Sequence, residues 1–326
     1  MTTKTKQNII AFIQKHGKAR AYDLYRDFGI TRAAVHRQLK QLIDKNEITR
    51  IGKPPLVYYV ITSNKTRPFL TDIVDNKAFI DSQYFYISPR GEVLSGTEGF
   101  IQWARNTKQN DLKQLSQEYV STRKSANKYF NSQGWIEAVG RFNSIFPDKL
   151  IDQVMYQDFY SLPKFGKTKL GQLVLYAKQS QNVGLIKQLT NNCKPVIKKI
   201  INFYHINAVT FIPPTIPRQI QLLKEFRLGL TISLPTIDLV KVYQGDIPIA
   251  QKSLSKIEER VINARETIQI KNAKRFNKVL IIDDAIGSGA TIHETALKLK
   301  TQNFCKHVYA YSIVGSYKGF DVIREI

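Results

Sequence analysis

Asp283 and Asp284 stand side by side, and after Ala285 and Ile286 the chain reads Gly287, Ser288, Gly289, Ala290, Thr291. Two adjacent acids in a partly dry cleft repel each other, so a ligand bearing hydroxyls, or a divalent cation, would relieve them. Glycines let a loop bring backbone N–H groups close to a phosphate, and Ser288 and Thr291 add hydroxyls. Together these residues describe a cradle for a sugar phosphate. The alternative, two solvated aspartates beside an exposed turn, requires neither the apolar run before them nor the hydroxyls after them. A nucleotide-triphosphate loop is excluded, because no Gly-Lys-Ser/Thr follows at the required spacing.

The elements that must position this cradle are a strand and a helix. Residues 279–282 (Val-Leu-Ile-Ile) are four consecutive apolar positions with a β-branched bias, the pattern of a strand buried on both faces of a parallel sheet. Open α/β sheets bind ligands at the carboxyl ends of such strands. A helix starting near Ala290 would aim its positive end at the same spot.

This segment resembles the signature of type I phosphoribosyltransferases, with Ser288 and Gly287 where threonines are usual. The resemblance implies a site for 5-phosphoribosyl 1-diphosphate (PRPP). Asp283 and Asp284 would hold the ribose hydroxyls and act in catalysis, with Ala285, Gly287, Ser288, Gly289, Ala290 and Thr291 completing the PRPP contacts. It also implies Mg²⁺, bound through PRPP. Gln251, Leu254, Arg260 and Asn263 are similar to a pattern preceding the same strand in ComF-like members. Phe211-Ile212-Pro213-Pro214 with Arg218-Gln219-Ile220-Gln221, and the run from Leu170 to Lys178, resemble further parts of that family. On this likeness Pro214, Arg218, Arg260 and Lys178 fall on the diphosphate side. The resemblance covers roughly residues 156–315. It departs at residues 218–221, where the family's loop carries a glycine, and in lacking a four-cysteine zinc module, since only Cys193 and Cys305 are present.

The first residues read differently. Ile9, Phe12 and Ile13 have helical spacing up to Gly17, a second helix spans residues 21–28, and Thr31 caps a third with Val35, Leu39 and Leu42 inward. Two strands, 47–51 and 57–61, follow around a Gly52-Lys53-Pro54-Pro55 tip. The whole resembles a winged helix-turn-helix domain. Residues 1–65 hold thirteen Lys and Arg against four Asp and Glu, a bias suited to duplex DNA. Arg32, His36, Arg37 and Lys40 would form the exposed face of the third helix, with Lys53 on the wing. A solvated face on a basic protein is the plainer reading of the same charges.

The expected fold class is therefore α/β: an N-terminal winged helix (1–65), a mixed, mostly helical middle segment (66–155), and a C-terminal Rossmann-like parallel-sheet phosphoribosyltransferase domain (156–326). At 326 residues and 43% hydrophobic content the chain can build two or three cores. No apolar run reaches the length of a membrane helix, so no membrane partner and a cytoplasmic location are expected. A net charge of +23 points to a polyanionic partner. Trp103, Trp135 and the histidines at 205, 293 and 307 read as structural. The domain combination resembles the toxic effector of a toxin-antitoxin or anti-phage defence module, neutralised by a partner of the DprA or RecQ kind. The alternative is a PRPP-responsive regulator resembling the purine repressor of Gram-positive bacteria. An accessory role in DNA uptake or recombination is a third reading, and a homodimer is left open.

Overall fold

The computed structural model describes residues 2–45, 47–62, 71–109, 111–249, 253–272 and 274–318. It divides into two compact units, Met1–Val74 and Asp75–Ile326.

In the smaller unit, helices Thr2–His16, Ala21–Phe28 and Arg32–Asp44 are followed by the antiparallel pair β1 (Ile48–Lys53) and β2 (Leu56–Ile61). Helical spacing brings Ile9 and Ile13 together with Leu24, Val35, Leu39 and Leu42 in one buried cluster, which Ile48 and Tyr59 close from the hairpin. Gly29 ends the second helix in the left-handed region (φ 60°), and the Thr31 hydroxyl accepts the Ala34 N–H at 3.3 Å to start the third. The first helix begins at Thr2, ahead of Ile9, where its apolar pattern starts.

The larger unit starts with a helix, Lys77–Gln83, and a short hairpin of β3 (Phe85–Ile87) and β4 (Val93–Ser95). Helices Gly96–Asn106 and Leu112–Asn127 lead to β5 (Ile136–Glu137), helix Val139–Ile145 and β6 (Gln153–Phe159). After the small β7–β8 pair (Ser161–Leu162, Gly166–Lys167) come helices Lys169–Ser180 and Val183–Tyr204, then β9 (Ala208–Phe211). Helix Leu222–Leu230, β10 (Thr236–Lys241), helix Ile257–Thr267, β11 (Ile268–Asn272), β12 (Phe276–Ile286), helix Ala290–Thr301 and β13 (Cys305–Gly315) complete it. Seven strands form one sheet in the order β11-β10-β9-β12-β13-β6-β5. The five inner strands are mutually parallel, and both edge strands run antiparallel.

β12 occupies the centre because its side chains have nowhere wetter to go. Val279, Leu280, Ile281 and Ile282 are each fully buried, and burying an aliphatic side chain of this size stabilises by about 1.5–3 kcal/mol. The strand is longer than its apolar run, extending through Asp283 and Asp284 to Ile286, opposite Gly315 of β13. The acids therefore lie within the final pairs of the ladder rather than beyond it.

Residues 75–152 do not form a separate connector between the two ends of the chain. Fully buried Trp135 joins the main core, β5 pairs with β6, and buried Arg123 meets Asp158 of β6 at 2.8 Å. Trp103 is likewise buried. Both cysteines are buried, and burial pushes their thiols up to about 12 for Cys193 and about 11 for Cys305, as befits core residues. Among the described residues no helix is long and apolar enough to cross a membrane.

Helix Lys169–Ser180 is set against the chain by a close approach that only glycine permits: a Cβ on Gly171 would lie 2.0 Å from the Tyr160 carbonyl oxygen. Gly171→Ala should cost about 1–3 kcal/mol, read as a lowered denaturation midpoint. An unchanged midpoint would mean that the helix shifts freely.

Candidate functional site

The carboxyl ends of β12 and β9 open into a cleft of about 220 Å³. Parallel pairing sets Ile282 beside Phe211, and Ile212 N–H donates to the Ile282 carbonyl at 3.0 Å, so the loop after β9 must run past the acids. Asp283, Asp284, Ala285, Gly287, Ser288, Gly289 and Thr291 line one wall. Pro214, Arg218, Lys178 and Arg260 line the other parts. Ala290 is the exception among the expected contacts: it is fully buried and absent from the lining, because it begins the helix and packs inward.

Charge is arranged in opposed pairs. Lys178 Nζ lies 2.5 Å from Asp284 Oδ2, and Arg218 donates to the Lys178 carbonyl at 2.9 Å. Asp283 accepts the Asp284 N–H at 2.8 Å. Burial, and then the neighbouring Asp284, push the Asp283 carboxyl well above the usual carboxylate range, while Lys178 pulls in the opposite direction. Lys241, at the end of β10, donates to the Thr215 hydroxyl at 2.6 Å. Burial brings its ammonium down to about 8, although the charge of Asp283 opposes this. Arg260 is buried, with Nε and Nη2 donating to the Leu254 carbonyl at 2.8 and 2.7 Å. Gln251 lies outside the described residues.

The loop wall depends on one glycine. Gly289 has φ 81° and caps helix Ala290–Thr301, whereas Gly287 is not in the left-handed region. A Cβ on Gly289 would come within 2.8 Å of the Phe142 ring and 3.4 Å of Phe146. The helix has no acid in its first turn, which leaves its positive end uncompensated toward the cleft. Ser288 Oγ accepts the Ala290 N–H at 3.4 Å.

Behind this wall lies a chain of contacts with no obvious sequence motif. His293 stacks on Phe146 at 4.1 Å between centroids and meets Asp148 Oδ2 at 2.7 Å and Glu294 Oε1 at 3.0 Å. Fully buried Glu294 in turn accepts two hydrogen bonds from Arg265, at 2.8 and 3.2 Å. Arg265 belongs to the helix that carries Arg260, so this chain ties the cleft's basic wall to helix Ala290–Thr301 behind the glycine loop. Sequence reasoning missed Lys241, Thr215 and this bracing. Alternation in β10 would have marked Lys241 only if the strand order had been known.

In the smaller unit Arg32, His36, Arg37 and Lys40 are all exposed on helix Arg32–Asp44, and the Arg32 guanidinium lies over the Tyr25 ring at 5.5 Å. Lys53 ends β1, and its side chain lies outside the described residues. Among the described residues no group of three His, Cys, Asp or Glu is arranged to hold a metal ion.

Among solved structures the chain is similar to an adenine phosphoribosyltransferase, at 17% identity over 40% of this chain and 71% of that one, with a TM-score of 0.27. No protein-family model and no curated protein matches the chain.

Two outcomes follow from the geometry. Arg265→Ala leaves the Glu294 carboxylate buried with His293 alone, and should lower thermal stability by about 1–3 kcal/mol. Arg265→Lys should recover part of the loss, and a neutral Arg265→Ala would remove the bracing role. Ligand binding should also depend on pH on both sides. The Asp283 carboxyl, pushed up to about 7 by burial and by Asp284, accepts hydroxyl hydrogen bonds more strongly when ionised, so affinity for a sugar phosphate should rise as the pH passes through about 7, then weaken above about 8 as Lys241 loses its proton. Calorimetric titration checks this, and Asp283→Asn should flatten the acid limb. An acid limb equally steep in that variant would belong to the ligand's phosphate instead.

Proposed function

We propose that the larger unit is a PRPP-binding, ComF-like phosphoribosyltransferase domain, and that the smaller unit is a winged helix that contacts duplex DNA. One observation supports this most: the cleft sets two adjacent carboxylates between a glycine-headed loop at a helix N-terminus and four cations, Lys178, Arg218, Lys241 and Arg260. That order complements a molecule with a vicinal diol at its centre, one phosphate at one end and a diphosphate at the other.

Transfer from PRPP breaks the anomeric C–O bond as diphosphate leaves, and positive charge grows on the ribose. Asp283 and Asp284 would fix the diol and favour that charge. The loop from Gly287 to Thr291 would hold the 5-phosphate with backbone N–H groups and hydroxyls. Lys178, Arg218, Lys241 and Arg260 would take up charge on the departing diphosphate. Mg²⁺ fits a site of this kind, since it binds through one or two carboxylates plus phosphates; Asp283 and Asp284 would hold it with the diphosphate, where it would neutralise leaving-group charge. The protein's share of the work is positioning and exclusion of water.

In the cell we place this activity in a toxic effector, directed to nucleic acid by the winged helix and restrained by an antitoxin of the DprA or RecQ kind. The test is expression of wild type and of Asp283→Asn with Asp284→Asn, scoring growth and PRPP consumption in the presence of nucleobases or nucleic acid. Growth arrest and PRPP loss, both abolished in the stably folded double variant, are expected. Normal activity in that variant would overturn the site. Harmless expression with PRPP-shifted DNA binding would move the chain to the sensing regulator.

A further inference from the structure

The sheet has a second charged border, at the edge opposite the cleft. There β12 and β13 begin side by side, with Phe276 opposite Cys305 and Lys278 opposite His307, and β6 begins beside them. Lys274 and Arg275 lead into β12, and Lys306 stands second in β13; all three are exposed, and none has an ion-pair or hydrogen-bond partner among the described residues. Lys278 donates to the Tyr204 carbonyl at 2.9 Å, a neutral partner that leaves its charge intact.

The acid at this border is Asp152, which is already engaged. It accepts from His307 Nδ1 and Val308 N–H at 2.8 Å each, and Lys300 approaches it at 3.9 Å. Lys298 and Lys300 lie in the last turn of their helix, where cations answer the helix dipole. That reason does not apply to Lys274, Arg275, Lys278 or Lys306, because strands carry little net dipole. Neighbouring parallel strands are about 4.8 Å apart, so these cations are gathered at one border of the sheet, Lys278 and Lys306 on opposite faces of it.

We propose that this rim is a contact surface for the phosphate backbone of nucleic acid, borne by the larger unit independently of the smaller one. Exposed unpaired cations gathered at one border bind polyanions by releasing condensed counterions, with no pocket needed. Placed at the strand starts, the contact leaves the cleft at the strand ends open, so both could be filled at once. This inference does not require the cleft to turn over PRPP or the smaller unit to bind DNA.

The test uses the full chain and a fluorescein-labelled, random-sequence DNA duplex, with anisotropy titrations across a salt series. The variant Lys274→Gln, Arg275→Gln, Lys306→Gln should weaken binding more than tenfold at low salt. It should also reduce the salt slope by about 2 to 3, close to 0.9 for each phosphate that the variant no longer neutralises. A control removing three exposed lysines elsewhere on the same unit, Lys113, Lys124 and Lys128→Gln, should change affinity less than threefold. Arg32→Ala with Arg37→Ala reports the smaller unit separately, and binding that persists in it should still fall with the rim variant. Wild-type affinity and slope in the rim variant, or an equal loss in the control, would overturn the proposal. All substituted side chains are exposed, so unchanged circular dichroism melting is expected throughout.

Discussion

Two carboxylates on consecutive residues of a buried strand are the constraint to which the larger unit answers. Like charges that close raise each other's cost of ionisation, and a desolvated strand end makes the cost larger. The chain meets it with cations delivered from remote places: Lys178 from a crossing helix onto Asp284, and Lys241 from β10, the strand beyond β9, toward Asp283. Each delivery depends on a backbone feature. Gly171 lets the helix of Lys178 sit against the Tyr160 carbonyl, and the parallel β9–β10 pair carries Lys241 to the right height. The site is thus a balance of charges fixed by topology, and the loop after β12 completes it.

The same logic explains the bracing behind that loop. Gly289 must adopt a left-handed conformation with aromatic rings pressed against the side where a Cβ would stand. Phe142 and Phe146 come from a segment more than a hundred residues earlier, and Asp148 anchors His293 from the same place. A glycine loop backed by solvent would sample many shapes. Backed by rings and a buried carboxylate, it is held in one before a ligand arrives, which lowers the entropy cost of binding.

Much of this was legible in the sequence, for identifiable reasons. Four apolar positions ending in Asp283 and Asp284 announced both strand and cleft, and Thr31, Gly29 and Gly289 marked helix boundaries through local chemistry that acts within a few residues. Lys178, Arg218 and Arg260 were carried by a family likeness, and the structure gathers them at one cleft. What escaped were contacts made by distant partners. Lys241 has no local signature, because its role comes from the strand order. The segment of Phe142, Phe146 and Asp148 read as part of a mixed middle region because its own helix, Val139–Ile145, is short and carries no motif. Its few apolar residues become meaningful only when β5 joins the sheet and Trp135 enters the core. Ala290 differs from the other motif residues in that its side chain is buried at the start of the helix, which leaves only its backbone to face the cleft.

The ion pair between Lys178 and Asp284 has a further implication. The ammonium sits where a ligand hydroxyl or its accompanying cation would approach the carboxylate, so the protein supplies its own placeholder. If the proposed function holds, filling the cleft would be an exchange of partners: Asp284 would pass from an internal cation to the ligand, and the freed Lys178 would turn to the ligand's own negative charge. A neutral sugar would have to displace the lysine and give it nothing in return. A sugar carrying phosphates would offer it a new counter-ion, so on the proposed function discrimination in favour of phosphorylated ligands would begin in the unliganded protein.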